Sequence, residues 1–301
     1  TNAGKTTVYY YVESANYEPN PIDGKKDIVI NQAVLTVKAE AKEKAYGGSD
    51  PELTYQASGF VNDETAEDVL SGKLARDKGE NVGTYAITQG TLEADGNYSI
   101  SYTGEDLTIN KAELTVTAEA KSKVYGEDDP ELTYQVSGLQ NGDTAEKVLK
   151  GALTRKSGKD VGTYEITRGT LTASDNYTVN YTSAMLEITK ADPDVTAPAA
   201  NDLTYNGKAQ ALVKAGAAEG GKVWYALGKD AETAPEADAK GTPEGEKKWS
   251  TSIPAGTDAG TYYVWYKAVG DSNHNDSTAK CITVEVAKAA ITITADDKSS
   301  E

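Results

Sequence analysis

The chain has 301 residues, 26% charged and 38% hydrophobic, with a formal charge of −17. That balance fits folded modules with thin cores rather than a disordered chain, and its acidity makes phosphate backbones and anionic membrane surfaces poor partners. Cys281, the one cysteine, excludes an intrachain disulfide, and 19 Tyr against one Phe and three Trp favour strands that bury rings while hydroxyls stay wet.

Residues 1–33 parallel a later stretch of the same chain. TNAGKTTVYYYVESANY (1–17) matches 257–274 with a one-residue slip, and DIVINQA (27–33) matches TVEVAKA (283–289). The segment therefore reads as the closing half of a domain, with strands expected at 7–12 and 27–31. Thirty-three residues bury no core of their own, so they must pack on a neighbour, pair with another chain or be mobile.

Residues 34–112 and 113–191 align without a gap at a period of 79, with 47 of the 79 positions identical. Such a copy marks duplication of one folding unit. In the first copy Leu35, Val37 and Ala39 alternate with Thr36, Lys38 and Glu40, as in a half-buried strand. Tyr46-Gly47 turns the chain, and Asp50-Pro51 fixes an extended entry into a strand at 53–58. Thr65 with Asp68 starts a short helix at 66–70, ended by Gly72. A strand at 84–88 and a hairpin of 98–102 with 107–109 complete the module. The second copy repeats this with Thr144, Gly151, Tyr164, Tyr177 and Ile188.

Five strands and one short helix in 79 residues predict an all-β, mostly antiparallel module. The pattern leaves a small immunoglobulin-like sandwich and a β-grasp-like sheet both open. Lys111-Ala112 runs directly into Glu113-Leu114, so the copies are expected to follow one another without a linker, in an elongated arrangement.

The string K-x-YG-x-x-DPELTY, followed by VGTY, NY and a closing KA, occurs in both copies (KAYGGSDPELTY from 44, KVYGEDDPELTY from 123). It resembles the bacterial MBG repeat of the YG type. The resemblance covers about half the chain and implies arrays on large surface and adhesin-like proteins. It brings no catalytic residue and no cofactor.

Residues 192–289 differ. A Pro- and Ala-rich link leads to Asn206-Gly207, a hairpin signal. Strands are expected at 222–227, 249–252, 260–268 and 281–286, around a polar loop at 228–247. The stretch 257–274 resembles the closing half of bacterial immunoglobulin-like surface domains. Residues 290–301 read as the first strand and continuation of a further YG-type repeat, with the strand at 290–295.

No residue set reads as an active site. His274 sits in a turn, S-N-H-N-D, without the orienting partners of a catalytic or metal histidine. The acidic loops 47–52 and 126–131 lack the alternating carboxylates of a dedicated calcium loop. Trp224, Trp249, Trp265 and Tyr263 are the candidate ligand-binding aromatics, with core packing as the competing role. Tyr263, Trp265 and Lys267 share one strand face, and Tyr262, Val264 and Tyr266 the other. Cys281 reads as a small filler rather than a reactive thiol.

Three functional readings follow. The leading one is a non-catalytic stalk or scaffold, an extracellular region of a bacterial adhesin-like protein on a Gram-positive cell wall, monomeric, its partners being neighbouring modules of the same polypeptide. The second is a binding module for host glycan or matrix protein centred on residues 192–289. The third is an accessory region of a cell-wall-associated enzyme.

Overall fold

The computed structural model describes residues 2–16, 18, 22–239, 242–243, 246 and 248–294. The chain forms two compact units whose division runs through the second copy. One holds Thr1–Thr117, Tyr134–Ala152 and Arg168–Thr182; the other holds Ala118–Thr133, Leu153–Thr167 and Ser183–Glu301.

In the first unit the first copy is a two-sheet sandwich. One sheet has the order Tyr98–Thr103, Ala33–Ala39, Tyr55–Ser58; the other has Lys42–Ala45, Glu105–Asn110, Gly83–Thr88, Ala75–Arg76. The alternation turns Leu35, Val37 and Ala39 inward, where they share one buried cluster with Tyr98, Ile87 and Leu107. Each such aliphatic side chain contributes about 1.5–3 kcal/mol by leaving water. The helix is one turn, Ala66–Val69, too short to cover a sheet as a β-grasp helix must. Asp68 accepts the Thr65 N–H at 2.8 Å and its hydroxyl at 2.7 Å, tying down the first turn.

The expected hairpin of 98–102 with 107–109 does not form. Tyr98–Thr103 pairs parallel with Ala33–Ala39, whereas Glu105–Asn110 pairs parallel with Lys42–Ala45 and antiparallel with Gly83–Thr88. Both runs carry buried residues, Tyr98 on one and Leu107 and Ile109 on the other. Placing them in opposite sheets lets both line one core. The chain changes sheet at Gly104, as the opening strand does between Ala39 and Lys42. The expected strand at 53–58 is shorter, Tyr55–Ser58.

The second copy keeps every one of these registers, displaced by the repeat period. Ala112–Ala118 runs parallel to Tyr177–Thr182 in the first unit. In the second unit Ala184–Thr189 lies between Lys121–Val124 and Gly162–Thr167.

Also in the first unit, Gly4–Val12 and Ile22–Ile30 form an antiparallel hairpin. Val8, Tyr9, Tyr10, Tyr11, Val29 and Ile28 are exposed on it.

The rest of the second unit repeats the same four-stranded order: Leu203–Thr204, Lys280–Ala287, Gly260–Gly270, Gly221–Gly228. Val223, Tyr225, Val264, Tyr266, Val284 and Val286 fill its main core. Asn206-Gly207 makes no hairpin. Asn206 closes an Asx turn on the Lys208 N–H at 2.9 Å, and the flanking strands pair elsewhere, Leu203–Thr204 with Lys280–Ala287 and Gln210–Ala211 with Ala255–Gly256. The expected strand at 249–252 reduces to a bridge between Ser250 and Tyr225. Part of the polar loop (240–241, 244–245 and 247) lies outside the described residues, as do Tyr17 and residues 295–301. Residues 290–294 form no strand, because no partner strand among the described residues lies beside them.

Candidate functional site

Four closing antiparallel strand pairs share one register, consecutive hairpin strands in 4–30 and 260–287 but strands with further strands between them in the two copies. Gly4 faces Ile30, Gly83 faces Ile109, Gly162 faces Ile188 and Gly260 faces Val286, each pair 26 residues apart. The four glycines have φ between +144° and +156°. In three of them a tyrosine two residues on turns back on the chain: Tyr85 donates to the Asn81 carbonyl, Tyr164 to Asp160 and Tyr262 to Asp258, at 2.7–3.0 Å. The backbone N–H of Tyr46, Tyr125 and Tyr205 donates to the last strand's carbonyl at Asn110, Thr189 and Ala287, each at 2.8 Å. The region 192–289 is thus built around the same closing strand pair as the YG-type copies, joined there as a hairpin. The signal was in the sequence: Asp258-Ala-Gly-Thr-Tyr262 against Asn81-Val-Gly-Thr-Tyr85, and Tyr205-Asn-Gly against Tyr46-Gly.

The ends of these strand pairs are where one module meets the next. Asn176 accepts the Val82 N–H on its carboxamide oxygen at 3.0 Å, donates its amide to Asn81 at 3.0 Å, and accepts the Ala112 N–H on its backbone carbonyl at 3.0 Å. Asn273 does the same with Val161 at 2.9 Å, Asp160 at 2.9 Å and Ala191 at 3.0 Å. Asn97 accepts the Ala3 N–H at 2.8 Å and the Ala33 N–H at 2.9 Å. An aromatic pair sits beside two of these junctions. The Tyr46 ring meets Tyr177 edge-on at 5.3 Å, and Tyr125 meets His274 at 5.2 Å, both at 76°. His274 is therefore a junction residue in a turn, its Nδ1 2.7 Å from Asp271. That contact holds the Asp271 carboxyl below its usual range.

A second recurring cluster accounts for the Lys, Asp and Arg that the copies share. Arg76 grips Asp50 through two bonds at 2.7 and 3.1 Å, donates to the Asp77 and Gly79 carbonyls, and stacks over Tyr85 at 5.4 Å. Lys44 adds Asp50 at 2.6 Å and Glu80 at 2.7 Å. In the second copy Arg155, Asp129, Lys123 and Tyr164 repeat the arrangement. Chiefly through Arg76 and Arg155, Asp50 and Asp129 are each held down at about 2. One acid of each loop weighed for calcium, Asp50 and Asp129, is thus engaged by cations of the fold. Sequence reading passed over Arg76 and Arg155, although both lie at identical positions of the copies.

The candidate aromatics do not converge on one open site. Trp249 and Trp265 are buried with Ala226 in a small second core on the outer face of the sheet. Trp265 donates its indole N–H to the Asp230 carbonyl at 3.0 Å and Trp249 to Pro235 at 3.2 Å, so the loop segment around Asp230 and Pro235 folds over them. Both faces of Gly260–Gly270 consequently carry buried residues, Val264, Tyr266 and Ala268 on one and Trp265 on the other. Trp224 and Tyr263 stay half-buried. Trp224 lines a shallow cleft with Asp238, Trp249 and Lys267, the Lys267 ammonium lying 4.8 Å from the Trp249 ring. Cys281 borders the second core, and burial raises its thiol above the usual range.

Tandem sandwiches joined by a repeated asparagine clamp define the class: a serial array of β modules. The family described as MBG domain (YGX type) matches residues 35–108 and 114–187, and these two segments are tandem members of it, a family of non-catalytic surface-protein domains. No curated protein matches the chain. Among solved structures, Drosophila N-cadherin EC1-3 is similar over 83% of this chain and 98% of its own, at 12% identity and a TM-score of 0.21, a likeness too slight to bear on fold or function.

Proposed function

We propose that this chain is a non-catalytic spacer region of an extracellular, adhesin-like protein of the bacterial surface, in which serial modules hold a binding region away from the cell wall. The observation that carries this reading is the asparagine clamp, made in full by Asn176 and Asn273 and through its two accepting oxygens by Asn97. It orders the joint between modules and leaves no hinge linker there. MBG membership of two modules supports the surface setting, and the net charge of −17 suits an exposed, self-repelling array. Among the described residues no helix is long and apolar enough to cross a membrane.

A second reading rests on the cleft at Trp224, Trp249 and Lys267, where the half-buried Trp224 indole paired across the strands with Lys267 offers a sugar or acidic peptide an aromatic surface and a charge. Titrating the whole chain against glycan and matrix-protein arrays separates the two. The spacer reading expects no saturable binding. Binding that Trp224→Ala abolishes overturns it in favour of the cleft, and turnover of a polysaccharide or peptide by homogeneous protein overturns the non-catalytic assignment.

A further inference from the structure

The module at 192–289 ends in the same donor set that, at three other places, receives an asparagine, and here it is bare. Asp258, Ala259 and Gly260 stand where Asn81, Val82 and Gly83 stand. Ala289 follows Ala259 at the interval that separates Ala112 from Val82, Ala191 from Val161 and Ala33 from Ala3. Gly260 has φ +150° and Tyr262 closes on the Asp258 carbonyl at 3.0 Å, so the local backbone is already in the docked form. Yet the N–H groups of Ala259 and Ala289 have no partner among the described residues.

The aromatic position agrees. Tyr46, whose ring meets Tyr177, is 7% exposed, whereas its counterpart Tyr205 is 43% exposed. The strand position agrees too. Ile291 and Ile293 are 86% and 89% exposed, while Leu35 and Val37, and Leu114 and Val116, at the corresponding places are fully buried.

We propose that this face, formed by Tyr205, Asp258, Ala259 and Ala289, is a docking surface for a further module of the YG type, recognised through the asparagine of its Asn-aromatic turn. The occupant follows from the established junctions. In two of them the alanine that donates to the asparagine carbonyl also opens the first strand of the module supplying that asparagine, Ala33 with Asn97 and Ala112 with Asn176; in the third, Ala191 donates to Asn273 and bridges His274 next to it. A partner on this face therefore begins at Ala289 and uses Ile291 and Ile293 as its first core residues. Asn97, Asn176 and Asn273 are already engaged within the chain, which disfavours a second copy as the occupant. The proposal goes beyond the spacer reading and holds whether or not the array carries a ligand.

The test appends residues 40–112 of this chain after Ala295, completing the exposed segment as a YG-type module, and follows amide exchange residue by residue by NMR. In the unextended chain Ala259 and Ala289 are expected to exchange fast. In the extended chain both slow by roughly 100-fold, and replacing the appended copy of Asn97 by Ala returns Ala259 to fast exchange while the appended module stays folded. Fast exchange at Ala259 beside a folded appended module overturns the proposal. So does protection in the unextended chain that grows with concentration, since the occupant is then a second copy. Appending residues 119–191 instead provides a second module should the first not fold.

Discussion

Replacing Arg76 by Met keeps the aliphatic stem and removes the guanidinium, which makes it a direct test of the recurring ion cluster. The Arg76 side chain is 11% exposed and that of Asp50 41%. With Asp50 that open to water, the bidentate pair contributes about 1–1.5 kcal/mol. The two bonds to the Asp77 and Gly79 carbonyls add about 1 kcal/mol, and the contact with the Tyr85 ring about 0.5–1 kcal/mol. Arg76→Met is therefore expected to destabilise the first copy by about 3 kcal/mol, lowering its thermal transition by roughly 10 °C or more. The effect carries a pH signature. Asp50 is held down at about 2 in the fold, against about 3.9 in an unfolded chain. A depressed carboxylate stabilises the fold above the unfolded value and loses that contribution as pH falls through the folded one. The gap between parent and variant should thus be full at pH 5 and narrow steadily towards pH 2. Urea unfolding followed by tyrosine fluorescence at several pH values measures it. A gap under about 1 kcal/mol at pH 7, or one that does not change with pH, refutes the assignment of the cluster as a staple of the fold.

Three further outcomes are expected. Trp249→Ala removes a side chain that is 3% exposed and should cost the 192–289 module about 3–5 kcal/mol, read as an early loss of near-UV circular dichroism; an unshifted transition would mean that the indole is not core. Cys281, raised by burial, should react with iodoacetamide at pH 8 more slowly in the native chain than in urea, and equal rates would contradict its place beside the second core. Gly72→Ala meets the Thr91 carbonyl at 2.0 Å at φ +85°, whereas Gly207→Ala at φ +74° meets nothing within 4 Å. The first should therefore destabilise by more than about 2 kcal/mol and the second by about 1 kcal/mol, and comparable costs by calorimetry would show that steric contact is not what separates them.

The chain's own repetition determined a great deal before any coordinates. The 79-residue period, the alternation of Leu35, Val37 and Ala39, and the Thr65–Asp68 cap each rest on contacts within a few residues or on a copied string, and such signals survive in one dimension. The likeness of 1–17 to 257–274 was legible for the same reason, and each stretch proved to carry the first strand of a closing hairpin, Gly4–Val12 and Gly260–Gly270. Tertiary structure decided what depends on partners far along the chain. It sent Tyr98–Thr103 and Glu105–Asn110 to opposite sheets, because each had a parallel partner some 65 residues earlier and one core between them to fill. It overrode the Asn206-Gly207 hairpin signal, since the flanking strands gain more by pairing with Lys280–Ala287 and Ala255–Gly256. It buried Trp249 and Trp265 under a loop whose polar sequence gave no hint of covering them. It also gathered Asn176 against Val82 and Asn273 against Val161, groups about a hundred residues apart, because a backbone N–H that a docked module shields from water is costly to leave unpaired and the next module's turn carries the acceptor that satisfies it.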